Sequence, residues 1–337
     1  MTQQPSTLST PKRRWRLAWQ NGIRWIVTLG LLGLVGAHIE LELLSSLLRN
    51  INWMLVAVAF ALAFADRLLA TLRWLILLRV MDVPVRFIPL LALHLTAGFI
   101  GSFLPTSFGV DAVRIIMLVR REGRGMACTA ASVMDRLIMV SGSLMAAAVA
   151  TLLLSASTPL HGWSVLLVSM SAGALLGAII LLHPSLVAPL TSGLRKLAGP
   201  RFGERLASFY LALHLYRHHG RALAISAALT VMMLGVRVWL IFALGLAIGV
   251  DVGFLEYLLV MPMAWVVVML PISIGGFGLQ EGAYALLMGF VGVSATAAVS
   301  ISLLDHLIVR VVAFSGVLVW LVRPEFRLKP EPHPRRS

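Results

Sequence analysis

The chain has 337 residues, of which 59% are hydrophobic and only 12% charged, with a mean hydropathy of +0.92. A soluble domain carries about 25% charged residues, so this composition excludes a water-facing surface over much of the molecule. Apolar runs long enough to cross about 30 Å of hydrocarbon use most of the sequence and leave these residues no room for a soluble catalytic domain. The net charge of +14 sits in the tails and in loops between apolar runs, which is the positive-inside pattern of membrane proteins. A nucleic-acid binder would line its basic residues along one soluble face, so no nucleic-acid partner is expected. Cys128 stands alone, which excludes an intrachain disulfide and a cysteine-based metal cluster.

Residues 1–21 are polar and basic, with Lys12, Arg13, Arg14 and Arg16, and read as a disordered cytoplasmic tail. A first span is expected over Gly22–Ile39. Val35-Gly36-Ala37 weakly imitates a signal-peptidase site, but the run is long and many spans follow, so an uncleaved span is expected. Glu40–Asn50 is mixed and interfacial. The second span, Ile51–Val80, carries Asp66, Arg67 and Arg73. A turn at Asp82-Val83-Pro84 leads to a third span, Phe87–Leu104, stopped by Pro105. An unusual segment with Gly109, Asp111 and Arg114 then runs to Arg124. The fourth span, Met126–Leu154, contains Asp135-Arg136, and the fifth is Trp163–Leu182. His183–Arg221 is basic and amphipathic. The sixth span, Ala222–Ile248, includes Arg237, and the seventh, Phe254–Leu270, is stopped by Pro271. A second unusual segment holds Gly275, Gly276, Gly278 and Glu281, and its short helix reaches Val291. The eighth span, Ala295–Val322, holds Asp305-His306 and Arg310. A basic cytoplasmic tail, 323–337, follows.

The two unusual segments repeat each other. Leu104-Pro105-Thr106-Ser107-Phe108-Gly109 aligns with Leu270-Pro271-Ile272-Ser273-Ile274-Gly275, and Ser132–Ile138 with Ser302–Ile308. The repeat units cover about 86–154 and 254–322. Were each proline–glycine segment an ordinary loop between full spans, Arg120–Arg124 and the basic 183–221 stretch would fall outside, against the positive-inside rule. Two re-entrant half-helix hairpins return both to the cytoplasm, and the repeats are then inverted. Proline lacks a backbone N–H and glycine permits tight reversal. Backbone that leaves the helix inside a bilayer must be buried in protein or line a wet cavity. The expected fold is therefore all-α: a polytopic transmembrane bundle of about eight spans plus two re-entrant hairpins, in one domain over 22–322.

Ionisable residues inside spans cost about 2.5–3.5 kcal/mol each on insertion scales, so each needs a reason. Asp111 and Arg114 are three apart on one helix face, as a structural ion pair or as a polar cavity wall. Asp135-Arg136 and Asp305-His306 are neighbours about 100° apart around their helices, so the members of each pair reach different partners. For each pair the readings are structural networking, substrate contact or a proton relay, histidine being the side chain suited to the last. Arg114, Arg136, Arg237 and Arg310 suit a lipid phosphate, because a guanidinium fork matches phosphate oxygens; a buried structural pair is the alternative for each. Glu281 is either a carboxylate stabilised at a helix N-terminus or a gating or proton-coupling group. Gly275, Gly276 and Gly278 either make a tight reversal or cradle a headgroup with backbone N–H groups. No metal or cofactor is expected.

The runs Phe103-Leu104-Pro105, Gly109-Val110-Asp111-Ala112-Val113-Arg114, Asp135-Arg136-Leu137 and Pro271–Gly282, with Arg73-Trp74, resemble the flippase-like family. That is the transmembrane domain of lysylphosphatidylglycerol synthases, also called UPF0104, and the resemblance covers about Gly22–Val322. Two details depart from the family pattern: Val110 stands where a second glycine is frequent, and Asp135 where glutamate is common. The resemblance implies flipping of a lipid without the soluble aminoacyl-transferase domain that makes aminoacyl-lipid. The expected function is translocation of an anionic or amphipathic lipid, or lipid-linked intermediate, through a polar cavity between the hairpins. A membrane enzyme of lipid-linked sugar or phosphate metabolism, or a membrane partner of a separate lipid-modifying transferase, is the alternative. Expected partners are phospholipid, aminoacyl-lipid or polyprenyl-linked lipid, a transferase, and a second copy of the chain. The expected location is the bacterial cytoplasmic membrane, with both termini inside.

Overall fold

The computed structural model describes residues 49–102, 104, 109–154, 168–173, 177, 209–268, 273 and 276–322. The first expected span, both tails, Pro105, Pro271 and Gly275 lie outside the described residues. So do most of the fifth span and most of the basic 183–221 stretch. Every described element is helical: α1 (Trp53–Val80), α2 (Phe87–Ser102), α3 (Gly109–Glu122), α4 (Gly125–Leu154), a 3-10 turn (Leu215–His218), α5 (Gly220–Ala247), α6 (Phe254–Val268), α7 (Leu279–Gly289) and α8 (Ala295–Val322).

Length divides them. Helices α1, α4, α5 and α8 have 28, 30, 28 and 28 residues, about 42–45 Å at 1.5 Å per residue. All four are long and apolar enough to cross a membrane. Helices α2 and α6 are apolar but have only 16 and 15 residues, and α3 and α7 have 14 and 11. At about 16–24 Å, none of these four covers 30 Å of hydrocarbon alone. The described helices of the third and seventh expected spans begin where expected and end two residues before the expected ends, at Ser102 and Val268. Apolar side chains such as Phe60, Phe64, Trp239, Phe314 and Leu318 are exposed on the outside, while Arg73, Asp135, Glu281 and Asp305 are buried inside. This arrangement suits a lipid solvent, where polar groups must be satisfied within the protein. The protein is an integral membrane protein.

The packing repeats itself under exchange of α1–α4 with α5–α8. Helix α2 packs on α8 as α6 packs on α4; α2 on α3 as α6 on α7; α3 on α4 as α7 on α8; and α1 on α4 as α5 on α8. The two equivalent helices α1 and α5 pack on each other and run antiparallel. At one end Asn52 N–H donates to the Ala247 carbonyl at 2.9 Å, and further along Arg73 reaches Thr230 at 3.0 Å. Helices α2 and α8 are antiparallel as well, with Thr96 beside Gly316 and Gly98 beside Ala313. That crossing is close because Gly316 has no Cβ, and one built there would strike the Leu95 carbonyl.

Each short pair folds back on itself. Helices α2 and α3 meet where Gly101 faces Val110, and Arg124, just past α3, bonds to the Asp82 carbonyl just before α2. The α2–α3 pair thus starts and finishes at one end of the bundle. In the second half Val268 faces Gly276 at 3.1 Å from its would-be Cβ, and Tyr284 OH donates to Met261 Sδ at 2.8 Å. Gly276 and Gly278 have φ of +81° and +75°, a region where a side chain is strained.

Charge separates along the bundle. The end holding the α1–α2 turn carries Arg79, Arg86, Arg120, Arg121, Arg124, Arg217 and Arg221 against Asp82 and Glu122. The opposite end, holding the α5–α6 turn, carries Asp251 and Glu256 with Arg49.

Candidate functional site

A cavity of about 380 Å³ lies between the two halves, within the range of about 300–1,000 Å³ that holds small ligands. All eight helices or the turns beside them contribute to its wall. Its lining residues on the spanning helices sit near helix midpoints: Asp66, Arg67 and Arg73 on α1, Asp135 and Arg136 on α4, Arg237 on α5, and His306 and Arg310 on α8. Six arginines (67, 73, 114, 136, 237 and 310) line it against three aspartates (66, 111 and 135), with His94 and His306.

The first half builds its wall around Asp135. One carboxylate oxygen accepts from Arg73 Nε at 2.7 Å and the other from Arg114 at 2.9 Å. Arg114 also lies 3.1 Å from Asp111, three residues back on α3, and its guanidinium stands 4.8 Å over the Trp74 ring. Arg136 bonds to the other Asp111 oxygen at 3.2 Å. Neighbouring Asp135 and Arg136 thus reach different partners, as their angular separation on a helix dictates.

The second half repeats the plan with different chemistry. Asp305 accepts from Arg237 at 2.7 Å and from the Gln280 amide at 3.0 Å. Arg237 therefore stands where Arg73 does, and Gln280 where Arg114 does. His306, equivalent to Arg136, packs on the Phe277 ring with centroids 4.8 Å apart, and its Nδ1 is 2.8 Å from Glu281. The Glu281 carboxylate also accepts the Gly278 backbone N–H at 2.7 Å. That N–H is satisfied inside the chain, and of the two described glycines of the expected cradle, Gly276 and Gly278, it is Gly276 that lines the cavity. Asp305 and Glu281 stand one layer behind the lining, each touching a lining residue. Gly109 packs at the α2–α3 apex against Gly101 and Leu104.

Arg310 differs from its neighbours. Its guanidinium lies 4.1 Å over the Phe277 ring and donates to the His306 carbonyl at 3.3 Å. It has no carboxylate partner among the described residues. The sequence singled out Asp111, Arg114, Asp135, Arg136, Arg237, Glu281, Asp305, His306 and Arg310; the structure holds them in three clusters, Asp111–Arg114–Asp135–Arg136 with Arg73, Arg237–Asp305 with Gln280, and Glu281–His306–Arg310, and seven of the nine line the cavity. Site reasoning passed over Asp66, Arg67, Arg73, His94 and Gln280. For Asp66, Arg67 and Arg73 the signal was present, as charges near the middle of an apolar run. A neutral glutamine after a glycine cluster gives no such signal.

The geometry leaves open what the cavity serves, and related proteins narrow it. The sequence model of the lysylphosphatidylglycerol synthase transmembrane region matches residues 23–316. The chain belongs to this family. That range covers the cavity lining, helices α1–α7 and α8 as far as Gly316. The chain is also similar to a UPF0104 membrane protein of Archaeoglobus fulgidus, 30% identical over 96 residues. Those residues are 28% of this chain and 29% of that relative, so less than a third of the relative's length is matched. No solved structure matches. The family and the apolar helices together assign a lipid-related role in a membrane.

Proposed function

We propose that the protein moves an anionic or amphipathic lipid, or a lipid-linked intermediate, between leaflets, passing the headgroup through the central cavity while the tails stay in the bilayer. The observation that carries this reading is the six-arginine wall near the midpoints of the spanning helices, drawn from both halves. A guanidinium fork binds phosphate oxygens in two parallel hydrogen bonds, and Arg310 has no carboxylate to compete for it among the described residues.

On this reading α2–α3 and α6–α7 are re-entrant hairpins entering from opposite faces. Their lengths, the Arg124–Asp82 contact and the antiparallel α1–α5 pair support it, and binding at the interface of inverted repeats is a recurring transporter plan. The arginine-rich end faces the cytoplasm, by the positive-inside rule, which puts the tail after Val322 inside. Residues 22–322 act as one transmembrane unit in a bacterial cytoplasmic membrane.

Reconstituted in liposomes, the protein is expected to accelerate exchange of fluorescent anionic lipids between leaflets, read by loss of fluorescence to a membrane-impermeant quencher. Arg310→Ala should slow it about tenfold, the worth of one charged hydrogen bond of about 1.5 kcal/mol. Exchange no faster than in protein-free vesicles across a panel of anionic lipids would overturn the reading.

A further inference from the structure

The two halves treat one equivalent position differently. In the first, Arg136 on α4 pairs with Asp111, the third residue of α3, at 3.2 Å. In the second, His306 on α8 stands 2.8 Å from Glu281, the third residue of α7. Arginine keeps its proton at any physiological pH, whereas histidine is the side chain whose charge ordinarily changes between about pH 5 and 8. The fixed ion pair of one half is thus a proton-dependent pair in the other. It is also the more deeply set, with side chains 10% and 1% exposed against 25% and 23%.

His306 Nδ1 and Glu281 Oε1 face each other across that distance, both sealed from water and neither with an aligned hydrogen-bond partner. Charge is what holds them, so the contact is attractive while the ring is an imidazolium and loses that attraction when it is neutral. Protonated, the pair is neutral as a whole; deprotonated, it carries one negative charge. Arg310 lies four residues on, over the same Phe277 ring, with no carboxylate partner among the described residues. An anion on Arg310 is therefore tolerated by the protonated pair and repelled by the deprotonated one. From helices packed on α8, the charged and titratable groups sharing the cavity wall are Asp66, Arg67 and Arg73 on α1, His94 on α2 and Arg237 on α5. Asp305 flanks the ring on α8 itself, and the Tyr284 hydroxyl on α7 is bound to Met261. Among the described carboxylates, Glu281 alone reaches the ring at ion-pair distance. The other imidazole has a hydroxyl instead: Thr71 donates to the Arg67 carbonyl at 2.8 Å, so His94 Nδ1 donates to the Thr71 oxygen at 2.9 Å.

We propose that His306 and Glu281 form a proton site in the second half, and that a proton on His306 accompanies the anionic lipid through the cavity. The ring's other nitrogen, Nε2, takes the proton up from the cavity that His306 lines and gives it back there. Resting on the transport reading, the site adds a driving ion to it. A singly charged lipid accompanied by one proton crosses without net charge, so the membrane potential does not oppose it. Linkage is reciprocal: the proton that strengthens anion binding is itself held more firmly once the anion is bound.

Binding tests this apart from transport. Purified full-length protein in detergent is titrated with short-chain phosphatidylglycerol, whose phosphodiester has no second proton to lose, from about pH 5.5 to 8.5, a span that brackets the histidine range. Calorimetry in buffers of different ionisation enthalpy counts the protons taken up per lipid. The wild type is expected to bind about tenfold tighter at the acid end and to take up as much as about half a proton per lipid at the midpoint, as a linkage of that size requires. His306→Arg, permanently protonated, should bind at every pH as the wild type does in acid. His306→Gln, never protonated, should bind as the wild type does in alkali, and neither variant should take up a proton. Should one variant fail to fold, the other decides. In liposomes, a pH difference should enrich fluorescent phosphatidylglycerol in the leaflet on the alkaline side. Binding without proton uptake, or enrichment on the acid side, overturns the proposal alone. Uptake that survives both His306 variants overturns it too, and its loss in His94→Gln would then place the proton on the other ring. Phosphatidylglycerol that binds at none of these pH values sinks the transport reading and this site with it.

Discussion

Asp135 carries two guanidinium partners, whereas the equivalent Asp305 carries one guanidinium and one neutral amide. Removing one member of a buried ion pair costs about 3–5 kcal/mol, because the other charge stays behind unpaired. Asp135→Asn takes a carboxylate from two arginines, leaving Arg73 without one and Arg114 with Asp111 alone, and Asp305→Asn takes one from Arg237. Thermal unfolding in detergent should therefore show both variants less stable, with Asp135→Asn the worse. Arg310 has no carboxylate to strand among the described residues, so Arg310→Ala should keep a near-wild-type melting temperature while lipid movement falls. A large drop in stability for Arg310→Ala would make it a structural residue.

At the scale of elements, contacts between helices depend on particular glycines. A Cβ at Gly316 would strike the Leu95 carbonyl, backbone that cannot swing away, while one at Gly98 would rest 3.8 Å from Ala313 Cβ, an ordinary contact. Overpacking a close crossing costs about 1–3 kcal/mol. Gly316→Ala should thus destabilise the α2–α8 contact by that amount and Gly98→Ala hardly at all, compared by melting temperature. Equal effects would mean that the helices separate freely. The hairpins make a second point at this scale. An 11-residue helix cannot reach across a bilayer, so α7 depends on α6 and α8, which pack on it.

For the whole molecule, the contacts fix two ends. Asp82 and Arg124 meet at one, and Asn52 meets Ala247 at the other, beside the α5–α6 turn. Helix α8 runs antiparallel to α2, which puts Ser294 at that second end. Single cysteines at Asp82 and Arg124, in a Cys128→Ala background, should react with an impermeant maleimide from the cytoplasmic side. Cysteines at Asp251 and Ser294 should react from the outside. Labelling of Arg124 and Asp82 from opposite faces would contradict the hairpin.

The residues alone announced a helical membrane protein. Its apolar runs match bilayer thickness, and this local property needs no tertiary information. They also carry a recurring pattern, proline, glycine and an aspartate within an apolar run in the same order at Pro105 and Pro271, Asp135 and Asp305. The exceptional charges stood out because hydrocarbon penalises each one separately. Which charge meets which was not legible: Arg73 and Asp135 are 62 residues apart, Arg237 and Asp305 68, and only the packing of helices from different parts of the chain sets those distances. Gln280 shows the same limit, since a neutral amide gains its place in a charged network only once α7 is laid against α8.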